Sequence, residues 1–329
     1  MAPFKAFRIH NDNGAHRAGV EEMRADELSP GEVLIKVAYS SVNYKDALAG
    51  SGKGKILRQY PLNGGIDVAG YVAASTDPTF KEGDQVLCTG CGLSETRDGG
   101  YAEYARLESK WTIPLPTGLT LRESMALGTA GFTAALALFQ MVRNGQTPAM
   151  GPIVVTGATG GVGSLAIDVL TQAGFEAHAI TGKVEQFDYL IGLGAKQCVA
   201  RKELYWGQRP LESAHWAGAI DNVGGDLLAG LTRVMKPYGN IAICGNAGGI
   251  ELATTVMPFI IRGLSVLGVA SAGTARAIRD QVWAHLASDW KPAHLAEIAN
   301  REVELTDLPV VFDTMLAGGS LGRSIVRVG

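Results

Sequence analysis

The stretch Ile153-Val154-Val155-Thr156-Gly157-Ala158-Thr159-Gly160-Gly161-Val162-Gly163-Ser164 decides the fold. It reads as a short apolar strand, a glycine-rich turn and the start of a helical run through Ala173. Glycines without a Cβ let the backbone approach a pyrophosphate, and a helix N-terminus offers free N–H groups and a favourable dipole. Gly163 allows close packing of that helix on its strand. The pattern is A-x-G-x-x-G, with Ala158 where the standard fingerprint has its first glycine. Such a pattern is weak by itself. Lying between a strand and a helix, it predicts a dinucleotide site over Ala158, Thr159, Gly160, Gly161, Val162 and Gly163 rather than a merely structural turn.

Outward from this turn, apolar strands are expected at residues 153–156, 177–180, 197–200, 217–221, 240–244 and 266–270, with helical stretches between most of them. That alternation implies βαβ units and a parallel, doubly wound α/β sheet of Rossmann type. Parallel strands are buried on both faces, hence their nearly continuous apolar character. An Ala/Leu-rich helix is expected at residues 122–142 and another at 274–287. The first third of the chain is different. Residues 31–37 alternate polar and apolar, residues 65–72 resemble a second strand, and residues 81–87 form a turn leading into a third. Short strands separated by turns suggest a β-rich barrel. The tail, residues 322–328, looks like a strand returning to that barrel. The expected division is 1–122 with 298–329 as a GroES-like barrel domain, and 123–297 as the dinucleotide-binding domain.

Composition narrows the function classes. The chain has 329 residues, 47% hydrophobic and 19% charged, as in a well-packed protein of about two domains. A net charge of −3 gives no reason to expect nucleic acid or a membrane surface as partner. No run of roughly 18 uncharged apolar residues stands out as a membrane span. The first ten residues lack a signal peptide's apolar stretch, and four cysteines in so long a chain make no disulfide framework. A cytoplasmic protein with reduced thiols is expected.

The second strand of the βαβ unit selects the dinucleotide. A site for NAD usually places Asp or Glu there, on the ribose hydroxyls. Here the strand ends Ile180-Thr181-Gly182-Lys183, without an acid to repel a 2′-phosphate. Thr181, Gly182 and Lys183, with Arg201 after the next strand, are the candidates to bind that phosphate, so NADPH is the expected cofactor. Against this stands the ordinary fate of Lys183 and Arg201 as solvated surface charges.

A barrel-like first domain, a Rossmann domain and a returning tail together resemble the medium-chain dehydrogenase/reductase superfamily. Within it the chain is similar to the quinone-oxidoreductase branch and the acrylyl-CoA reductase group. The resemblance rests on Ser41-Val42-Asn43-Tyr44-Lys45-Asp46-Ala47-Leu48, Gly65-Ile66-Asp67-Val68-Ala69-Gly70, residues 128–134, the glycine turn and residues 254–260. Zinc-dependent relatives carry a Cys near Asn43 and Gly-His-Glu where this chain has Gly65-Ile66-Asp67. Neither an amide nor an isoleucine replaces thiolate or imidazole at a catalytic zinc, so no metal is expected. Cys88 and Cys91 form a C-x-x-C without a second such pair; the plain reading is two small residues in a turn.

The resemblance implies NADPH-dependent reduction of acrylyl-CoA to propanoyl-CoA, with hydride added to the β-carbon of the activated C=C bond. Tyr44 is implied to face the nicotinamide and to donate a proton, against the alternative of a core aromatic. Asn43 is a candidate to hydrogen-bond substrate or nicotinamide. Asp46 is a candidate to orient Tyr44 or Lys45, or else to cap the helix starting there. Asp67 reads as a strand-end hydrogen-bonder. The resemblance also places Asn246 and Ser271 near the nicotinamide half. Lys53, Lys55 and Arg58, with Arg323, are basic candidates for CoA phosphates, but the plainer reading of each is a solvated surface charge and none is assigned to CoA. A homodimer through the last Rossmann strand, near residues 265–271, is implied. The competing readings are a general NADPH quinone or enone reductase and a non-enzymatic NADPH-binding sensor or structural protein.

Overall fold

In the computed structural model, which describes all 329 residues, the chain forms two compact units. The first comprises Met1–Thr129, Ala272–Gln281 and Leu295–Gly329; the second comprises Ala130–Ser271 and Val282–His294. The chain thus changes unit at 129/130 rather than 122/123, and residues 272–281 belong with the first unit.

The first unit opens with β1 (Phe4–Asp12) and β2 (Ala15–Met23), an antiparallel hairpin, followed by β3 (Val33–Ser41) and helix α1 (Tyr44–Gly50). Then come β4 (Leu62–Asn63), β5 (Asp67–Ser75), β6 (Gln85–Thr89), β7 (Tyr104–Leu107) and β8 (Ile113–Pro114). β3 pairs antiparallel with both β5 and β7, and β5 with β6. The strand read at 31–37 runs from Val33 to Ser41; its alternation sends Val33, Ile35 and Val37 into one core cluster with Val68, Val72 and Val86 and breaks at the register shift between Val37 and Tyr39.

The helix α2 (Leu121–Arg143) is broken at Gly128, whose φ of 51° and ψ of −154° are not helical. It is long and apolar enough to cross a membrane by length and composition, which the sequence reading had not singled out; 83% of its apolar window is buried inside the protein.

The second unit holds β9 (Ile153–Thr156), α3 (Gly161–Gln172), β10 (Ala177–Thr181), α4 (Phe187–Gly192), β11 (Gln197–Ala200), β12 (Trp216–Asp221), α5 (Gly225–Val234), β13 (Met235–Ile243), α6 (Met257–Arg262) and β14 (Ser265–Gly268). These strands form one parallel sheet in the order β11-β10-β9-β12-β13-β14. The α/β expectation holds, and each parallel strand overlaps the apolar run that marked it. The order reverses between β9 and β12, so the crevice beyond their carboxyl ends is the place where such a sheet takes a ligand. Ile153, Val154, Val155, Ala219 and Ile220 are fully buried, as double-sided coverage requires.

The remaining elements are α7 (Arg276–Leu286), α8 (Leu295–Ile298), β15 (Arg301–Val303), α9 (Leu308–Leu316) and β16 (Ser324–Arg327). β16 pairs antiparallel with β3, so the tail strand does return to the first sheet. Helix α9, not anticipated from the sequence, buries Leu308, Val311 and Phe312 in the cluster of Phe7, Ile9 and Tyr101.

Candidate active site

Candidate residues lie in both units, and each group is described within its own unit. In the second unit the glycine turn joins β9 to α3. Gly157 has a positive φ of 58°, and Gly160 serves as the N-cap of α3 with no side-chain cap. The first-turn N–H groups are therefore left for an external acceptor. A Cβ on Gly163 would lie against the Gly157 carbonyl oxygen and 2.7 Å from Ala158 Cα, so only glycine packs here. Ala158 is fully buried, and its N–H donates to Ile180 O at 3.2 Å. The side chain of Ala158 thus occupies core space while the backbone keeps the turn.

The other candidates lie at the same strand ends. Thr181 ends β10, Gly182 and Lys183 follow it, and Arg201 follows β11. A Cβ on Gly182 would stand 3.4 Å from Arg201 Nη2, so this guanidinium lies directly over the β10 turn. Thr181 is buried, accepts the Lys183 N–H at 3.0 Å and lies 3.4 Å from Thr159 Oγ1. Its hydroxyl thus helps to shape the turn. Asn246 and Ser271 follow β13 and β14 at this edge; Asn246 is exposed and Ser271 half-buried. On the neighbouring strand β12, the terminal Asp221 is fully buried and accepts from Thr156 Oγ1 at 2.6 Å and Gly224 N–H at 2.8 Å. Burial pushes its carboxyl above the usual range.

In the first unit, Asn43, Tyr44 and Asp46 come together at the start of α1. Asn43 is the N-cap, and the Asp46 carboxylate reaches back to accept the Asn43 N–H at 2.9 Å. Asp46 Oδ1 accepts the Ile66 N–H at 2.9 Å, which ties the helix to the segment before β5. Capping, rather than contact with Tyr44 or Lys45, is thus the role these bonds give Asp46. Lys45 instead pairs with Glu95 at 2.5 Å.

The Asn43 amide has other partners than those expected. Its Nδ2 donates to Asp46 Oδ2 at 3.1 Å and Asp67 Oδ2 at 2.8 Å, and its Oδ1 accepts from Arg323 Nη1 at 3.0 Å. Both N–H bonds are committed inside the protein, which leaves no donor for substrate or nicotinamide. Asp67 is more than a strand-end group. It accepts from Ser41 Oγ at 2.5 Å, from Thr129 N–H at 2.9 Å and from Thr129 Oγ1 at 2.6 Å, and faces Arg323 Nη2 at 3.8 Å.

Arg323 corrects a further expectation. It is neither a surface charge nor available to a CoA phosphate, being only 4% exposed. It donates to Val42 O at 2.7 Å, Ser41 Oγ at 2.7 Å and Ala126 O at 3.3 Å. A buried guanidinium must be paired, and the Asp67 carboxylate and these oxygens do so. Lys53, Lys55 and Arg58 are exposed, and Lys53 stands 4.0 Å from Asp313.

Two carboxylates with one arginine leave an excess of negative charge. Burial first, and then the charge of Asp67, push the Asp46 carboxyl up to about 7. An unfolded aspartate has its ordinary value near 3.8. The folded chain therefore keeps a proton that the unfolded chain has lost, and stability falls as pH rises from about 4 through about 7. A higher urea midpoint at about pH 5 than at about pH 8, with the difference reduced in Asp46→Asn, is the expected result. Equal slopes for the two proteins overturn it.

Amid this network Tyr44 stands out as the exception, 54% exposed, so it is no core aromatic. Sequence reasoning missed Ser41, Thr129 and Arg323 as members of the cluster. The available signal was an acid and a base set within apolar strand patterns, Ile66-Asp67-Val68 and Arg323-Ser324-Ile325-Val326.

The two positions that hold zinc ligands in metal-dependent relatives do not fit the metal. Asn43 is fully committed, Ile66 is a buried apolar side chain, and no group of three or more His, Cys, Asp or Glu is placed to hold an ion.

Residues 29–117 match the alcohol dehydrogenase GroES-like domain family, and residues 161–288 match the zinc-binding dehydrogenase family. Over 328 residues, 99% of either chain, the sequence is 43% identical to the acrylyl-CoA reductase AcuI of Ruegeria pomeroyi. It is also 43% identical, over 326 residues and 99% of either chain, to YhfP of Bacillus subtilis, which bears the provisional name of a quinone oxidoreductase. Among solved structures, the yhdH oxidoreductase of Salmonella enterica in complex with NADP shares 43% identity at a TM-score of 0.95, over 99% of this chain and 100% of that one. The chain therefore belongs to the medium-chain dehydrogenase/reductase superfamily, in a group with AcuI and YhfP. It is an oxidoreductase of that superfamily.

Proposed function

We propose that the protein is an NADPH-dependent, zinc-independent reductase of the C=C bond of acrylyl-CoA, giving propanoyl-CoA. The observation that carries this reading is the exposed Tyr44 on a helix start whose other polar groups are all committed inward. A phenol left free beside a rigid scaffold suits contact with a cofactor and substrate. NADPH supplies hydride to the β-carbon of the enoyl thioester. The N–H groups of residues 161–163 hold the pyrophosphate, and Arg201 with Lys183 holds the 2′-phosphate. Asn246 and Ser271 line the nicotinamide half. Tyr44 packs on the nicotinamide and donates a hydrogen bond to the thioester oxygen as negative charge develops there, or a proton to the α-carbon. Asn43 and Asp46 act through the backbone of Tyr44, by fixing the start of α1.

The supporting relatives include AcuI by name and the NADP-bound Salmonella protein. The choice of phosphate over ribose hydroxyl rests on Arg201 over Gly182 and on the absence of an acid at the end of β10. Arg201→Glu is expected to raise KM for NADPH about 10–100-fold and KM for NADH far less. An equal change for both cofactors ends the phosphate assignment.

The test of the reaction is NADPH oxidation with acrylyl-CoA, crotonyl-CoA and a small quinone. Preferential turnover of acrylyl-CoA, reduced about 10-fold or more in Tyr44→Phe, is the expected result. Turnover of the quinone alone favours the second reading, a quinone or enone reductase, for which the name of YhfP speaks. NADPH binding without any turnover leaves the sensor. The partner proposed beyond the CoA thioester is a second copy. β14 is an edge strand, and Ile250, Val256, Ile260 and Ile261 in the same unit are 60% or more exposed, so a dimeric mass in sedimentation is expected.

A further inference from the structure

Cys88-Thr89-Gly90-Cys91 takes no part in the proposed reaction. Cys88 lies in β6, and the chain then turns back through two left-handed residues, Gly90 at φ 70° and Cys91 at φ 53°. A non-glycine residue in that conformation is uncommon. The turn is locked from outside. The Gly90 N–H donates to Ile66 O at 2.8 Å, and the Cys91 N–H donates to Ala272 O at 3.3 Å. A Cβ on Gly90 would stand 2.8 Å from Ala272 Cα, which leaves no room for a side chain there. The result is that the two cysteines come together in one buried cluster at this turn, where the Cys91 thiol donates to Thr89 O at 3.5 Å, and both are free thiols. Cys88 is wholly buried, whereas Cys91 keeps 8% of its surface exposed.

The charges around the pair are unequal. Arg279 Nη1 donates to Thr89 O at 2.9 Å and to Thr89 Oγ1 at 3.2 Å. Arg97 Nε lies beside Gly92 and has no hydrogen-bond partner, although Arg97 also pairs with Glu108. Arg276 is nearby and pairs with Asp280 at 2.7 Å. The hydrogen bond from Cys88, and then the three arginines, hold the Cys91 thiol below its ordinary value. That hydrogen bond, burial and the charge of Asp67 push the Cys88 thiol up. Of the two, Cys91 has the small opening to solvent and the more readily ionised thiol, and Cys88 is its buried neighbour in the same cluster.

We propose that Cys88 and Cys91 form an oxidation site, a dithiol that peroxides convert reversibly to an internal disulfide. The Cys91 thiolate attacks one peroxide oxygen, the O–O bond breaks, and water or an alcohol leaves, giving a sulfenic acid at Cys91. The Cys88 sulfur then attacks the Cys91 sulfur, and the hydroxyl leaves as water with the Cys88 proton. Two thiols are oxidised by two electrons and one peroxide is reduced. The disulfide lies one hydrogen bond from Ile66, whose N–H holds Asp46, so oxidation reaches the start of α1 through the backbone.

The test treats the reduced full-length protein with one equivalent of hydrogen peroxide, alkylates it without unfolding and again after unfolding, and reads masses. The expected result is loss of two alkylatable thiols of the four, and a peptide containing Cys88 and Cys91 lighter by about 2 Da, restored by dithiothreitol. In Cys88→Ser, dimedone is expected to label Cys91. Four intact thiols, or sulfinic acid at either cysteine without the mass loss, overturns the proposal. The wild-type masses decide it even if Cys88→Ser fails to fold. Cys198 and Cys244, whose thiols burial pushes up, serve as internal controls.

Discussion

Gly128→Val is expected to yield little folded protein, with stability lowered by more than about 4 kcal/mol. Gly128 breaks α2 with φ 51° and ψ −154°, backbone values open to glycine and strained for every other residue. Position matters as much as conformation. A Cβ there would stand 2.6 Å from Asp67 Oδ2, 2.6 Å from Ser41 Oγ and 2.7 Å from Arg323 Nη2. It would drive apart the buried acid and base that balance each other, and breaking such a pair costs about 3–5 kcal/mol. The break also aims Thr129, whose N–H and hydroxyl both bind Asp67. Valine adds the strain of a branched Cβ to this loss. Urea unfolding of purified protein measures the effect; a midpoint close to that of the parent chain would show that the network rearranges at little cost.

The second large effect is at the glycine turn, where two glycines are required for separate reasons. Gly163→Val places carbon against the Gly157 carbonyl and within 2.7 Å of Ala158 Cα, so α3 must move off β9. Loss of about 3 kcal/mol of stability and about 100-fold weaker NADPH binding are expected together. Gly160→Ala is different. Its φ is −78°, and the nearest atom to a new Cβ is Gly157 O at 3.3 Å. The fold should bear that change, while the added methyl stands where a pyrophosphate must approach. Binding weakened about 10-fold at unchanged unfolding midpoint is therefore expected. If Gly160→Ala binds NADPH like the parent chain, the pyrophosphate does not lie on this turn.

The second unit was largely legible, because its strands announce themselves. Residues 153–156 and 197–200 are the strands β9 and β11 as read, and the other four differ mainly at their ends. Buried parallel strands are continuous apolar runs with turn residues on either side, a local signal. The first unit's candidate site was legible in its residues but not in their partners. Asn43 and Asp46 are local to α1, and the capping arrangement follows from their spacing. Arg323 lies 282 positions from Ser41, and although its apolar strand setting hints at burial, nothing near it in sequence names its partners. Gly128 sits in an Ala/Leu-rich run whose periodicity is helical throughout; only Asp67, distant in sequence, explains the break. Helix α9 was missed, although Leu308, Val311 and Phe312 have helical spacing, because the tail was read only for its last strand.

The position of β16 has a consequence for the order in which the molecule is made. The strand pairs with β3 and brings Arg323 to the start of α1, yet the whole second unit lies between them in the chain. The second unit has its six strands complete by Gly268, before β16 has been synthesised. On a ribosome, then, its parallel sheet can assemble while the acids Asp46 and Asp67 still wait for their cation. The first unit is begun first and finished last. Its closure is a contact of very long sequence separation and so a slow step. Until then two carboxylates stand without their guanidinium, and the barrel lacks its last strand.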